Sequence, residues 1–470
     1  MNKLMRLLAL LLVLAMVAAA CGSSGDTAAG GDDDTEAEDD GGEAEDDGGG
    51  DDGEDDGGEA EDDGGGDGEL VTGPGVTDEE IQIGFLSDLT GIFAGLTVPI
   101  TDGNAAYFER LNENGGVAGR DVSPVTLDTA YDVPTHQQHY DTVSGEGADA
   151  VAMIGMSVGS PHTASIREDL LDDDLAAIPV SWNSSWAAEN GSNVLEWGVN
   201  YCVEAMNGVD YLAQTFDGAT LAVVSFPGDY GEDGALGAKM AAEALGIEVV
   251  YDGQAAVVPG ADQTPVISEI VESGADLVFA TVNPATLAEL MGGAAQAGFT
   301  GQWAGNGPSF SPLLLATEAA PLLDSSYTHL SPNASFGSEG EGAADIRELM
   351  REFRPDAPFL SVYAISWIQG EIVRQSLEAA AESGDLTRAG ILAASQSITF
   401  DMQGVIPDFS YAGDANENLT RSSYIFDVTL DTFNPEATVL DDEGEGITLI
   451  DPAYTSSVAE GFEYEPCFGI

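Results

Sequence analysis

Short apolar runs alternate along most of this chain with stretches whose apolar positions recur three and four residues apart. The runs have the length of buried strands and the stretches the period of helices. Ile81–Leu86, Val122–Asp128, Ala150–Ile154 and Ala176–Val180 predict strands, as do Gly218–Ser225, Ile247–Tyr251 and Ala275–Ala280 further on. Between them, helices are predicted from about Ile100 to Asn112, with Ala105, Ala106, Phe108 and Leu111 inward, and around Thr135–Gly145 and Thr163–Leu171. Later helices are predicted over Gly234–Leu245, Thr264–Ser273, Leu290–Ala297 and Tyr363–Ser383, the last with Trp367, Ile368, Ile372 and Leu377 as core. Strand and helix in alternation mean an α/β fold with mostly parallel sheets.

The stretch Ala148–Ser185 reads as one βαβ unit whose two strands end in Gly155-Met156-Ser157-Val158-Gly159-Ser160-Pro161 and in Ser181-Trp182-Asn183-Ser184-Ser185. In an open parallel sheet the ligand crevice lies beyond the carboxyl ends of the strands, so both loops are site candidates. Gly155 to Gly159 also matches G-x-S-x-G between a strand and a helix, the setting of a hydrolase nucleophile. A nucleophilic Ser157 needs an acid and then a histidine downstream. Only His162, which is too local, and His329 follow it. The plainer reading is a tight turn whose hydroxyls and free amides bind a polar group.

The first twenty residues, with Lys3 and Arg6 before an apolar core, form a secretory signal peptide. Cys21 directly follows Ala18-Ala19-Ala20, which resembles a bacterial lipobox and makes Cys21 the lipidated residue, although Ala18 stands where leucine is usual. Residues 21–75 are Gly, Asp, Glu and Ala with almost nothing apolar, a composition that stays disordered as a self-repelling spacer. No later stretch is long and apolar enough to span a bilayer. The product is therefore exported and tethered to the membrane by its N-terminal lipid only.

The formal charge is −72, and beyond the signal peptide the only lysine is Lys239. Such a surface excludes nucleic acid and anionic membranes as partners. With Cys21 assigned to lipid, Cys202 and Cys467 remain as an even pair in an oxidising compartment and are expected to form a disulfide. His136 and His139 have metal-pair spacing on a helix, but no third ligand is near in sequence, and both read as surface residues. No metal and no cofactor are expected. After the spacer about 395 residues remain, which suits two domains.

Five short motifs then stand in order across some 80 residues. They are Phe85-x-x-x-x-Thr90-Gly91-x-Phe93-Ala94, Gly103, Asn112-x-x-Gly115-Gly116-Val117-x-Gly119-Arg120, Asp128-x-x-Tyr131-Asp132-x-Pro134 and the Gly155 loop. In this order and spacing the chain resembles the solute-binding proteins of ABC transporters for branched-chain amino acids and related amides. Downstream, Pro227-Gly228-Asp229-Tyr230-Gly231 resembles the family's D-Y-G loop, and Asp401 to Val405 its last crossover. The resemblance implies a two-lobe periplasmic-binding-protein type I fold, each lobe a mostly parallel sheet flanked by helices, with three crossovers at the hinge. Lobe one would be 76–198 plus 331–398, and lobe two 199–330 plus 399–470.

The implied function is capture of a small polar solute (a branched-chain amino acid, an amide, a urea-like compound or a small carboxylate) between the lobes by a monomer and its delivery to an ABC permease and ATPase complex, without catalysis. A ligand sensor of the same fold and a secreted serine hydrolase using Ser157 are the alternatives. Family analogy places Ser157, Gly159, Ser160, Ser181, Trp182 and Asn183 around the ligand, with Phe93 as an aromatic contact. Tyr230, Asn283 and Asn306 are the candidates in lobe two. Amino-acid binders of the family usually place an acid in lobe two to pair the ammonium. Here the matching loop reads Asn306-Gly307-Pro308-Ser309, so the ligand is expected to lack an α-ammonium unless Asp229 substitutes.

Overall fold

The computed structural model describes residues 70–186 and 192–469. The signal peptide, Cys21 and nearly all of the acidic spacer lie outside the described residues. Two parallel-rich sheets organise the rest. The first has four strands in the order Asp121–Asp128, Glu80–Ser87, Met153–Val158, Ala177–Val180, all parallel. The second has seven. Its parallel part runs Glu248–Gly253, Thr220–Ser225, Leu277–Thr281, Gln302–Gly305, Tyr327–Ser331. Ser423–Phe433 and Glu445–Tyr454 then extend it antiparallel at one edge. Central strands such as Met153–Val158 and Leu277–Thr281 are buried along their whole length, as continuous apolar runs in a helix-covered sheet must be.

The chain passes between the surroundings of the two sheets three times, near residues 181–200, 332–340 and 401–422. Helix Tyr363–Ser383, reached after the second passage, packs on helix Ala94–Glu113 of the first sheet. Its Trp367 is buried, and the indole nitrogen donates to Asp345 at 2.7 Å. That helix has the predicted bounds, as has Thr264–Ser273. Helix Tyr201–Phe216, which opens the second region, is joined through Cys202 to Cys467 by a disulfide.

Three expectations need correction. The strand expected over Ala150–Ile154 runs from Met153 to Val158, so Gly155 and Ser157 belong to the strand and not to a loop. The cause is packing: a Cβ on Gly155 would lie 2.6 Å from a methyl of Ile83 and 2.9 Å from the ring of Phe85. The glycine therefore marks the close approach of a neighbouring strand. The spacer ends sooner than residue 75, because Val71–Thr72 pairs in parallel with Asp385–Leu386. His136 is not a surface residue: it is buried, with its Nε2 3.3 Å from Ser157 Oγ.

Candidate functional site

Between the two sheets lies a cavity of about 120 Å³. Its first-sheet wall comes from the loop and helix after Glu80–Ser87 and from the ends of Met153–Val158 and Ala177–Val180. Two acids hold the first loop. Asp88 accepts the amide of Phe93 at 2.8 Å. Asp128, at the end of the neighbouring strand, accepts the Leu89 amide at 2.9 Å and the Thr90 hydroxyl at 2.8 Å. Burial alone would raise the Asp128 pKa, but hydrogen bonds from Ala130, Leu89 and Thr90 outweigh it and hold the carboxyl below its usual range. The motifs around Thr90 and Asp128 are thus two halves of one bracket that presents Phe93. Ala130 and Tyr131 both take left-handed backbone, at φ 49° and 54°, which bring Tyr131 to the cavity, 4.9 Å from the Phe93 ring centroid.

Gly159 closes the next strand end at φ 87°, and a Cβ there would lie 2.5 Å from His162 Nδ1. Ser160 follows as the first residue of helix Ser160–Ser165. Gly159, Ser160, Ser181 and Trp182 all line the cavity, as does Phe93. Trp182 Nε1 is buried without any protein partner, and the buried Ser160 hydroxyl faces the Asp229 carboxyl. Ser157 does not line the cavity: its hydroxyl is buried against Thr163 Oγ1 at 2.7 Å. Burial lowers the pKa of the adjacent His136 to about 3, and the His136 Nδ1 has no partner, so no acid orients it as a base. Asn183 is also withdrawn from the cavity. Its amide donates to the Asp229 carbonyl at 3.1 Å, tying the first crossover to helix Asp229–Leu245.

The second-sheet wall differs. Tyr230 lines the cavity, 6.5 Å from Phe93 and 4.8 Å from Tyr201 between ring centroids. Its hydroxyl donates to the Val282 carbonyl at 2.8 Å, so the ring rather than the oxygen is offered to a ligand. Asn283 and Asn306 do not line the cavity. Asn283 caps helix Pro284–Gln296 by accepting the Thr286 amide at 2.9 Å. Asn306 accepts from Thr281 Oγ1 at 2.8 Å and donates to Tyr201 O at 2.9 Å and Glu204 Oε2 at 2.8 Å. Pro308, Phe310 and Ile447 complete an apolar surface there, and Val362, which precedes the long helix, and Ile365 within it close one end.

Among the described lining residues there is no Asp, Glu, Lys or Arg. His329 is the one titratable imidazole. Burial lowers its pKa to about 3, so it is neutral at physiological pH, with its Nδ1 unpartnered. Asp229 is buried at the start of its helix but is not a lining residue, and burial pushes its carboxyl up to about 6.

A family model for periplasmic binding proteins matches residues 80–433. This chain belongs to the periplasmic binding protein family. The two-lobe α/β architecture is the type I fold of that family. A fatty acid ABC transporter substrate-binding protein from Thermomonospora curvata is similar over 85% of this chain and 98% of its own, at 28% identity and a TM-score of 0.74. A branched chain amino acid ABC transporter protein from Thermus thermophilus, solved with bound valine, is 16% identical over 82% of this chain and 98% of its own, with a TM-score of 0.67. A leucine binding protein from Thermotoga maritima is 16% identical over 79% and 98%, with a TM-score of 0.64. Among curated protein sequences, none matches this chain.

Within this periplasmic binding protein, sequence reasoning missed Tyr131, Tyr201, Phe310 and His329 as lining residues. Tyr131 stood inside a recognised motif, and its position one bracket away from Phe93 was the signal. Tyr201 begins the helix after the first crossover, its amide bonded to the Trp182 carbonyl at 2.7 Å, and carried no motif.

Proposed function

We propose that this protein is the extracytoplasmic solute-binding component of an ABC importer and that its ligand is a compact, largely apolar molecule with one hydrogen-bond-accepting end. A short or branched carboxylic acid or its amide fits that description. The observation that carries the reading is the lining: largely aromatic and aliphatic walls, no charged side chain, and one buried donor, Trp182 Nε1, that has no protein partner. A buried donor without a partner is destabilising, and an acceptor from the ligand satisfies it. A zwitterionic amino acid also needs an anion for its ammonium, and the lining supplies none. A cavity of about 120 Å³ suits a body of roughly benzene size. Of the solutes expected from sequence, this favours the small carboxylates and amides, and the Thermomonospora relative is named for a fatty acid.

In this reading the lobes are 71–198 with 331–398 and 199–330 with 399–470. Cys21 carries the lipid, the acidic segment is the stalk, and the monomer hands its ligand to a permease. Ligand held by Ser160, Trp182 and Phe93 on one lobe makes Tyr201 and Tyr230 of the other available, which favours closure. A sensor role or hydrolysis by Ser157 has no observation in its favour, since Ser157 is buried away from the cavity. The test is a thermal-shift series of the protein with carboxylates from butyrate to dodecanoate, the matching amides, and amino acids. Ligand at a hundred times its Kd should stabilise the fold by about 2.7 kcal/mol. Stabilisation by amino acids alone would refute the apolar reading.

A further inference from the structure

A second cavity, of about 80 Å³, lies at the hinge and not between the lobes. Its walls come from Trp186 and residues 192–198, at the first passage between the sheets, and from residues 396–420, at and just before the third. Glu196 lines it, is 8% exposed, and has an Oε1 with no hydrogen-bond partner. The Tyr411 hydroxyl, in the same lining, is also buried and unpartnered. Tyr411 packs edge-on against Phe409 at 5.4 Å between ring centroids. Trp186 and Trp197 line the cavity too, but their indole nitrogens already donate elsewhere, to Ser181 Oγ at 3.2 Å and to the Pro179 carbonyl at 3.3 Å. They have π surface left to offer an occupant, and no donor.

The chemistry of such a lining is one-sided. Besides the neutral side chains of Ser192, Ser410, Thr420, Gln396 and Asn418, it holds one carboxyl, one phenol oxygen and four aromatic rings, and among its described residues no Lys or Arg. An anion meets no cationic side chain there and faces the Glu196 carboxyl. A metal ion would need several hard ligands, and no group of three His, Cys, Asp or Glu side chains suited to a metal exists among the described residues. A small ammonium meets both features at once: its N–H groups satisfy the carboxylate and the phenol oxygen, and its charge is attracted by ring faces. The formal charge of −72 raises the local concentration of any cation at this surface.

We propose that the hinge cavity is a binding site for a small organic ammonium, held by Glu196 and Tyr411 between the aromatic walls. Trp197 lies 4.9 Å from Trp182 between ring centroids, and Trp182 lines the solute cavity. An occupant wedged at Trp197 therefore acts on the hinge and on one wall of the solute site together. Coupling of this kind is reciprocal: whatever factor the ammonium applies to solute affinity, the solute applies to the ammonium. The site itself does not depend on which solute the main cavity takes.

The test is titration of the full chain with methylammonium, ethylammonium and tetramethylammonium chloride, read by tryptophan fluorescence and thermal shift. Sodium chloride at matched ionic strength is the control. Saturable binding with a Kd near or below about 1 mM is expected for at least one of the three. Glu196→Gln should weaken it at least about tenfold, the loss expected when a charge-assisted hydrogen bond becomes neutral. Tyr411→Phe removes only an oxygen that has no protein partner, so it should fold as the parent does and weaken binding about threefold or more. No saturable binding up to about 50 mM beyond the sodium control would overturn the proposal. So would unchanged affinity in both variants, or in Tyr411→Phe alone should Glu196→Gln not fold.

Discussion

The two walls of the solute cavity use their polar side chains in opposite ways. On the first-sheet side Trp182 stands at a strand end with an indole N–H that no protein atom accepts, and Ser160 lines the cavity with Asp229 behind it. On the second-sheet side Asn283 and Asn306 also stand at strand ends, yet one is a helix cap and the other is saturated by Thr281, Tyr201 and Glu204. Buried imidazoles with lowered pKa values occur on both sides, His136 and His162 behind the first wall and His329 in the second. Buried carboxyls lie behind the second: Glu204 and Asp233 are pushed by burial up to about 7, and Glu445 likewise. A polar residue after a strand is thus a ligand contact only if its own helix or crossover does not claim it first.

The broadest way to probe that difference is pH. A carboxyl whose folded pKa exceeds its unfolded value holds more protons when folded, between those two values. Its stabilisation is complete below the unfolded pKa and is lost as pH rises to the folded one. Glu204, Asp233 and Glu445, with Asp229 at about 6, should make the fold less stable at pH 8 than at pH 5. Chemical denaturation at the two pH values measures this, and a fold that gains stability toward pH 8 would contradict the burial of these groups.

Asn306→Ala should next have the largest single effect. It strips partners from Glu204 and Thr281 and should cost about 2–3 kcal/mol of stability, while solute affinity in the folded fraction changes by less than about threefold. The first-sheet wall should show the reverse. Trp182→Phe keeps a ring but loses the free N–H, and we expect about tenfold weaker solute binding. Ser160→Ala should weaken binding about fivefold and raise the Asp229 pKa further, because its hydroxyl is one of the groups that hold that carboxyl down. Equal effects of Asn306→Ala and Ser160→Ala on affinity would erase the distinction between the walls.

Much of this was legible in the chain. The four strands of the first sheet and three of the five parallel strands of the second follow from apolar runs, Gln302–Gly305 and Tyr327–Ser331 being the two that do not, and the order of glycine and acidic motifs carried the family. Five of seven first-sheet candidates, Phe93, Gly159, Ser160, Ser181 and Trp182, line the cavity, whereas Ser157 and Asn183 do not. Ser157 misled because a small-residue run was read as a loop, when Gly155 is small to admit Phe85 from the next strand. Asn283 misled because a helix N-cap and a ligand-binding asparagine have the same local sequence. The antiparallel edge, Ser423–Phe433 with Glu445–Tyr454, matched no family motif and its apolar positions were spread over long, half-exposed strands. The Cys202–Cys467 pair, in contrast, followed from counting.

The measurement that bears most directly on the central claim compares two solutes with one carbon skeleton, 4-methylpentanoate and leucine, by calorimetric titration. They differ only in the α-ammonium, for which the cavity lining holds no counter-charge. The account predicts that 4-methylpentanoate binds at least about 100-fold more tightly, since an unpaired buried charge costs several kcal/mol. Leucine binding as tightly or more tightly would contradict it.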